Sequence, residues 1–566
     1  MKLADESLPL QRLYQWEKTH PHHIYLSQPM GEGIMRDYSW SQTVSEARRM
    51  AAYLKGLGFE PGARIAILSK NCAHWILSDL AIWMAGYVSV PLYPTLTAES
   101  IKQILVHSES KACFVGKLDG WELMKPGIPV GVYCISYPLS PKNDYPTWDS
   151  IVARTEPAPD RPLRRGDDIC TIVYTSGTTG MPKGVVHNFE NMAWAADSLH
   201  QRVVGIGLSP AGPQDRMLSY LPLSHVAERW VVQAGSLRSG FRIYFANSLD
   251  TFAEDIRRAR PTMFISVPRL WVKFQQGVLA KMPQKKLDRL FKIPILNRII
   301  KKKILQGLGL DQCRFAGGGA APMPPALLKW FGKLGLEVLE GYGMTENFGC
   351  SHSALPGQIR SGYVGTPYPG VEQRIDPVTG EIQMRSPALM KGYYKEPEKT
   401  AEVMTTDGWF RTGDKGEIDA EGRLKITGRV KDLFKTSKGK YVAPAPIEDK
   451  LVTHPIVEAC CVAGANFAQP FGILMPSANE LETLKKNPAE RKHLEESLIA
   501  HLEAVNVQLD AHEQLDFLAI IHDQWGVENG FITPTLKIKR NAIEEAYGPY
   551  FESWLKQKKS VIWHLF

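Results

Sequence analysis

The sequence predicts an α/β protein with a large N-terminal part and a smaller C-terminal one. Three observations predict it. Strand-like and helix-like segments alternate through the first half. The texture changes near residue 410 to short strands bounded by turns. The chain has 566 residues, too many for one ordinary core.

The alternation begins at residues 64–69 (RIAILS), a β-rich apolar run. Residues 75–85 carry helical spacing, 88–92 form a second strand, 100–108 a second helix and 112–115 a third strand. Similar strands are expected at 169–175, 242–245 and 262–267. Such alternation argues for a mostly parallel sheet covered by helices. Past residue 410 strands are expected at 416–419, 423–427 and 432–436, with Asp-Gly and Glu-Gly turns nearby. A small mixed α/β unit fills the remainder, joined at Gly428-Arg429-Val430-Lys431. No internal repeat is visible.

Composition excludes several classes. Hydrophobic residues make up 44% and charged residues 22%, so disordered and fibrous chains drop out. The most apolar region, 75–92, contains Asp79 and reads as a buried helix and strand, not a membrane span. The opening MKLADESLPL has no apolar run of the secretory kind. The eight cysteines are scattered without CxxC spacing, which speaks against a zinc site or a disulfide scaffold. A cytoplasmic setting, with association at the inner face of a membrane as an addition, is the expectation. The net charge of +8 suits anionic small molecules or an anionic membrane surface and does not indicate nucleic acid.

One stretch stands out by charge. Between Lys281 and Lys303 lie nine basic residues and one acid, Asp288. Leu296, Ile299, Ile300 and Ile304 share a helical face there. A solvated helix with its apolar face on the core is the favoured reading. The other is a peripheral site resting on an anionic membrane.

The strongest local feature is Tyr174-Thr-Ser-Gly-Thr-Thr-Gly-Met-Pro-Lys-Gly184, directly after an apolar strand. Its glycines let backbone approach a ligand closely. Thr175, Ser176, Thr178 and Thr179 add hydroxyls, and Lys183 adds a positive charge. Gly177 and Gly180 complete a loop that can wrap a polyphosphate. It is not the usual P-loop. Gly116-Lys117, Gly332-Lys333 and Gly439-Lys440 are followed by Leu or Tyr, never Ser or Thr. No GxGxxG occurs. Kinase, G-protein and dinucleotide readings lose their main support.

That loop resembles the signature of the adenylate-forming (AMP-binding) superfamily, which holds acyl-CoA synthetases, peptide-synthetase adenylation domains and firefly luciferases. Further matches follow in family order: Leu221-Pro-Leu-Ser-His-Val-Ala-Glu-Arg229, Gly317-Gly-Gly-Ala-Ala-Pro322, Gly341-Tyr-Gly-Met-Thr-Glu346, Trp409-Phe-Arg-Thr-Gly-Asp414, Gly428-Arg-Val-Lys-Asp432 and Pro534-Thr-Leu-Lys-Ile-Lys-Arg540. The run from Lys431 to Pro444 and the Pro-Thr-Leu-Lys ending look most like the long-chain fatty acid–CoA ligase branch.

The resemblance implies a large multi-sheet N-terminal adenylation domain, residues 1–430, with a small mobile α+β C-terminal domain, residues 431–566. It implies ATP, Mg²⁺ and coenzyme A, with a fatty acid or related carboxylic acid as substrate. Asp414 and Arg429 resemble the pair that reaches the ribose. Tyr342 resembles the aromatic stacked on adenine, with Gly319, Ala320 and Ala321 on its other side and Gly343 next to it. Thr345 looks like a phosphate contact and Glu346 like the Mg²⁺ ligand, with Thr175 helping on the metal side. His225 resembles the gate of the acyl pocket. Lys431 matches the hinge, and Gly439 would line the channel for the thiol arm. Lys537 matches the catalytic lysine that bridges carboxylate and α-phosphate. The sequence departs from the common Gly-Lys form there, since Leu536 precedes it, and Lys539 keeps an alternative register open. Two other readings stand beside coenzyme A ligation. One is acyl transfer to a carrier-protein thiol. The other is a non-catalytic nucleotide-binding scaffold.

Overall fold

The computed structural model describes residues 3–175, 181–533 and 537–564. The chain forms two compact units. The first takes residues 1–373, 384–410 and 420–424, and the second takes 374–383, 411–419 and 425–566.

The first unit contains three sheets. The largest has seven strands in the order Gly392–Tyr393, Lys183–Asn188, Ile169–Thr175, Val88–Leu92, Arg64–Leu68, Ala112–Val115, Tyr133–Ser136. From Ile169–Thr175 to Tyr133–Ser136 every pairing is parallel. Lys183–Asn188 and Gly392–Tyr393 add antiparallel strands at one edge. Central strands such as Val88–Leu92 are buried throughout, as a sheet covered on both faces requires. The helix Ala73–Met84 is also buried along its whole length, on the sequence that read as a buried helix. Among the described residues no helix is long and apolar enough to cross a membrane.

A second sheet runs Met263–Ser266, Phe315–Gly318, Val338–Tyr342, His352–Ser353, Thr366–Pro367, and its first three strands are parallel. A third has four strands in the order Ile34–Ser39, Ile24–Gly31, Arg242–Phe245, Arg216–Ser219. All eight cysteines are thiols, as the scattered spacing suggested.

The basic segment folds as two helices, Gln284–Phe291 and Pro294–Leu308. Ile300 and Ile304 pack on the cluster around Trp271 and Phe331. Leu296 and Ile299 remain exposed. The expected single apolar face is therefore split. At 100° per residue Ile300 and Ile304 fall on the inner side, and Ile299 falls on the outer one.

The second unit contains most of a four-stranded sheet ordered Glu372–Ile375, Glu381–Arg385, Phe410–Ile418, Leu424–Arg429. The strands expected at 416–419 and 423–427 are thus longer and begin earlier or end later. A hairpin of Phe434–Lys435 and Tyr441–Val442 follows. Another four-stranded sheet, Val457–Ala463, Phe471–Pro476, Leu518–Ile520, Val561–Trp563, carries two apolar clusters, one led by Leu451 and Leu498, the other by Phe471 and Trp554. Arg540 opens the helix Arg540–Tyr547 and is clamped by Glu448 at 2.7 Å and by the Val462 carbonyl at 2.6 Å.

Candidate active site

In the first unit the site residues gather at strand ends. Ile169–Thr175 ends, and Lys183–Asn188 begins, on either side of the glycine- and threonine-rich segment in the chain. The two strands pair so that Thr175 faces Lys183. Ser176, Gly177, Thr178, Thr179 and Gly180 lie outside the described residues. The Lys183 Nζ stands 5.0 Å from the centre of the Tyr393 ring. Tyr393 is buried and belongs to the edge strand Gly392–Tyr393, paired with Lys183–Asn188. Its hydroxyl donates to Glu346 Oε1 at 2.9 Å. Burial and the neighbouring carboxylate push the phenol well above its ordinary range, so Tyr393 stays a donor. The loop lysine and the candidate metal carboxylate thus share one aromatic ring.

Glu346 and Thr345 sit in the 3-10 turn Thr345–Asn347. Asn347 closes that turn by accepting from the Met344 N–H at 3.0 Å. A second tie comes from His187, whose Nε2 lies 2.7 Å from the Thr345 carbonyl. Burial pulls His187 down to about 4, so the ring is neutral and its Nε2–H is the donor. His187 is held in turn by the next residue. Asn188 caps the helix Phe189–Gly205 through a reciprocal capping box with Asn191. Gly343 must be glycine, because a Cβ there would lie 1.9 Å from the Gly349 carbonyl oxygen.

Tyr342 ends the strand Val338–Tyr342, half-buried, with its ring 6.1 Å from that of His352. Gly319 follows the adjacent parallel strand Phe315–Gly318. Both lie at carboxyl ends of parallel strands, where open α/β sheets bind ligands. Gly319 donates to the Ser266 carbonyl at 3.3 Å, and Ala320 and Ala321 are exposed beyond it. Ala320 has φ 70°, a left-handed turn. Glu340 fastens this loop from below: its Oε1 accepts from the Met323 N–H at 2.9 Å. Burial lifts the Glu340 carboxyl to about 7.

The Leu221–Arg229 segment is anchored from inside. Arg229 is fully buried against Asp79, also fully buried, and donates to Thr171. Gln233 donates to the same Asp79 oxygen at 2.7 Å. Over Arg229–Ala234 the helix widens to π geometry, a feature frequent near functional sites. Glu228 accepts from the Ser219 hydroxyl at 2.7 Å and the Tyr220 N–H at 3.1 Å, and burial lifts it to about 8. His225 stands half-buried at the start of this helix, where its Nδ1 accepts from the Ala227 N–H at 3.2 Å.

In the second unit Asp414 and Arg429 come together. Asp414 is buried on Phe410–Ile418, and Arg429 ends Leu424–Arg429 with its side chain half-exposed. Arg429 Nε donates to Asp414 Oδ1 at 3.0 Å. Thr412 fixes the backbone there, donating to the Ile382 carbonyl at 2.7 Å and accepting from the Asp414 N–H at 3.1 Å. Lys431 is exposed two residues on. Gly439 turns the 434–442 hairpin with φ 78°. That backbone explains the glycine, since a Cβ would touch only Lys435, at 3.8 Å.

Lys537 and Lys539 are both exposed and flank Ile538, which packs inward. The Lys537 carbonyl accepts from the Thr533 N–H at 2.7 Å, and its N–H donates to the Thr533 hydroxyl at 3.0 Å. Lys539 precedes the clamped Arg540 helix. Residues 534–536, Leu536 included, lie outside the described ones. Sequence reasoning missed Tyr393, His187 and Glu340. The first lies in no motif read from the sequence, and the other two look like ordinary strand residues.

The sequence profile of the AMP-binding enzyme family matches residues 13–394, and that of the AMP-binding enzyme C-terminal domain matches 431–558. A fatty acyl-CoA synthetase A of Dictyostelium discoideum is 30% identical, over 92% of this chain and 86% of the relative. A long-chain-fatty-acid–CoA ligase, FadD15, of Mycobacterium bovis is 28% identical over 96% of each chain. Among solved structures, the adenylation domain of a carboxylic acid reductase from Segniliparus rugosus, bound to AMP and a carboxylic acid, superposes with a TM-score of 0.76 at 22% identity. It covers 97% of this chain and 94% of that one. An anthranilate CoA ligase bound to anthranoyl-AMP gives 0.75 at 21% identity, covering 96% and 98%.

Proposed function

Because this chain belongs to the AMP-binding enzyme family, whose adenylate-forming acyl-CoA synthetases are its relatives, we propose that it activates a long-chain fatty acid with ATP and passes the acyl group to coenzyme A. The reaction has two steps. A carboxylate oxygen attacks the α-phosphorus and pyrophosphate leaves. The thiol sulfur then attacks the acyl carbon, AMP leaves with the carboxylate oxygen, and the thiol gives up its proton.

The observation that carries this reading is the run Lys183, Tyr393, Glu346, which joins the lysine of the Tyr174–Gly184 motif to the carboxylate of the Gly341–Glu346 motif. One ring contacts a cation and donates to a carboxylate, the two kinds of group that a triphosphate and its metal call for. Glu346 and Thr175 offer hard oxygen donors, and Mg²⁺ prefers few protein carboxylates plus phosphate oxygens and water. The ion would neutralise phosphate charge. Tyr342 and the Gly319–Ala321 loop would take the adenine, and Asp414 with Arg429 the ribose. Catalysis would be positioning and charge neutralisation more than covalent help. In this reading Lys537 serves the first step, Lys431 is the hinge, Gly439 belongs to the second step, and His225 gates the acyl pocket. The long-chain preference is supported by the names of two relatives, at 28% and 30% identity, that are called long-chain enzymes.

The test follows pyrophosphate release and coenzyme A consumption in parallel, with ATP, Mg²⁺ and fatty acids of rising chain length. Equal signals that peak at long chains support the reading. Pyrophosphate without thiol loss assigns the acyl group to a carrier-protein thiol. No signal with any acid returns the chain to the scaffold reading.

A further inference from the structure

The helix pair 284–308 presents to solvent the surface that a globular protein normally hides. Ile293 is 48% exposed, Ile295 76%, Leu296 37% and Ile299 46%. Among the described residues, no other seven-residue stretch holds more than two exposed large apolar side chains. Single exposed aliphatics are ordinary; four in seven residues are not.

The exposure belongs to a well-anchored pair of helices. The first is held by buried Leu287, by Trp330 donating to Gln284 at 3.1 Å, and by Lys333 paired with Asp288 at 3.3 Å. The corner is closed by Asn297, which donates to the Phe291 carbonyl at 2.9 Å. Ile300, Ile304, Leu305 and Leu308 pack inward. With that side fixed, helical geometry turns Ile295 and Ile299 outward, with Leu296 beside them.

The charges complete the pattern. Lys302 and Lys303 are exposed and follow Ile295 and Ile299 on the same outer side, with Arg298 at its margin. Lys285, Lys286, Arg289 and Lys292 are exposed on the preceding helix and corner. The segment's one acid is engaged by Lys333. An apolar strip ringed by lysines and arginines matches the boundary of an anionic bilayer: aliphatic tips enter the acyl region while long basic side chains reach phosphates.

We propose that this face docks the protein on an anionic lipid surface, with Ile295, Leu296 and Ile299 inserted and Lys302 and Lys303 on the headgroups. The proposal does not depend on the acid named above.

The test is sedimentation of the full chain with phosphatidylcholine vesicles, with and without phosphatidylglycerol, at low and high salt. The wild type is expected to pellet with the anionic vesicles and to be released by salt. The triple variant I295S/L296S/I299S, and separately K302E/K303E, should each bind more than about tenfold more weakly. All altered residues are exposed, and unchanged thermal melting checks that the variants fold. Wild type that stays in the supernatant with anionic vesicles at low salt overturns the proposal. So does a triple variant that binds as the wild type does. A wild-type dimer that the triple variant makes monomeric, with no vesicle binding by either, assigns the face to a second copy of the chain and equally overturns it.

Discussion

The ammonium of Lys183 lies 5.0 Å from the centre of the Tyr393 ring, and the hydroxyl of that ring donates to Glu346 at 2.9 Å. Tyr393 therefore touches both a cation and a carboxylate that lie 163 residues apart in sequence. Tyr393→Phe keeps the ring under Lys183 and removes the hydrogen bond. A hydrogen bond to a charged group contributes about 1.5–3 kcal/mol, so kcat/KM for ATP should fall by roughly ten- to a hundredfold. The loss should be larger at low Mg²⁺. Pyrophosphate release measured across Mg²⁺ concentrations checks it, and wild-type behaviour in the variant would count against the shared-ring arrangement.

Asp414 and Arg429 should act as one unit. With Nε of one on Oδ1 of the other at 3.0 Å, removing either disturbs the partner. Asp414→Ala and Arg429→Ala should each lower kcat/KM for ATP by about a hundredfold, and the double variant by little more, because coupled residues are not additive. Simple multiplication of the two losses would show that they work independently.

Asp79 and Arg229 bear on stability. Both are fully buried. Removing one partner of a buried ion pair strands the other charge at a cost of about 3–5 kcal/mol. Asp79→Ala should lower the melting temperature sharply, whereas Asp79→Leu with Arg229→Met should recover much of it. If the single and double variants melt alike, the stranded charge is not the cause.

Glu340 predicts a pH dependence. Burial raises its carboxyl to about 7 from 4.5. The folded state therefore binds a proton that the unfolded state has released between those values. Its contribution is fully present below pH 4.5 and is lost as pH rises through about 7, a cost of up to about 3 kcal/mol. Glu340→Gln keeps an acceptor for the Met323 N–H and has no proton to lose. It should melt like the wild type near pH 5 and higher than the wild type at pH 8. Parallel melting curves from pH 5 to 8 would contradict this.

Much of the fold was legible because strand and helix periodicities are local. The strands Val88–Leu92, Ala112–Val115, Ile169–Thr175 and Arg242–Phe245 stand at the residues their patterns indicate. What escaped depends on register and tertiary contact. Tyr393 meets Glu346 only because an edge strand pairs with Lys183–Asn188. His187 reads as one of several polar residues at the ends of the strand Lys183–Asn188 until the Thr345 turn lies against it. Asp79 was legible as an odd charge in an apolar helix, but its partner lies 150 residues away. The 294–308 helix carries apolar residues on both sides, so periodicity alone could not say which side the core would take. Gly439 gives a further lesson. Its positive φ strains any bulky side chain placed there, whatever passes beside it, so a test of the thiol channel that uses Gly439→Leu needs Gly439→Asn, which tolerates that backbone, beside it.

The central claim is that an acid oxygen bonds to the α-phosphorus. Supplying a long-chain fatty acid labelled with ¹⁸O in its carboxylate, with unlabelled ATP and coenzyme A, tests this directly. The account predicts AMP carrying one ¹⁸O and unlabelled pyrophosphate. Unlabelled AMP, or label in phosphate released with ADP, would contradict it.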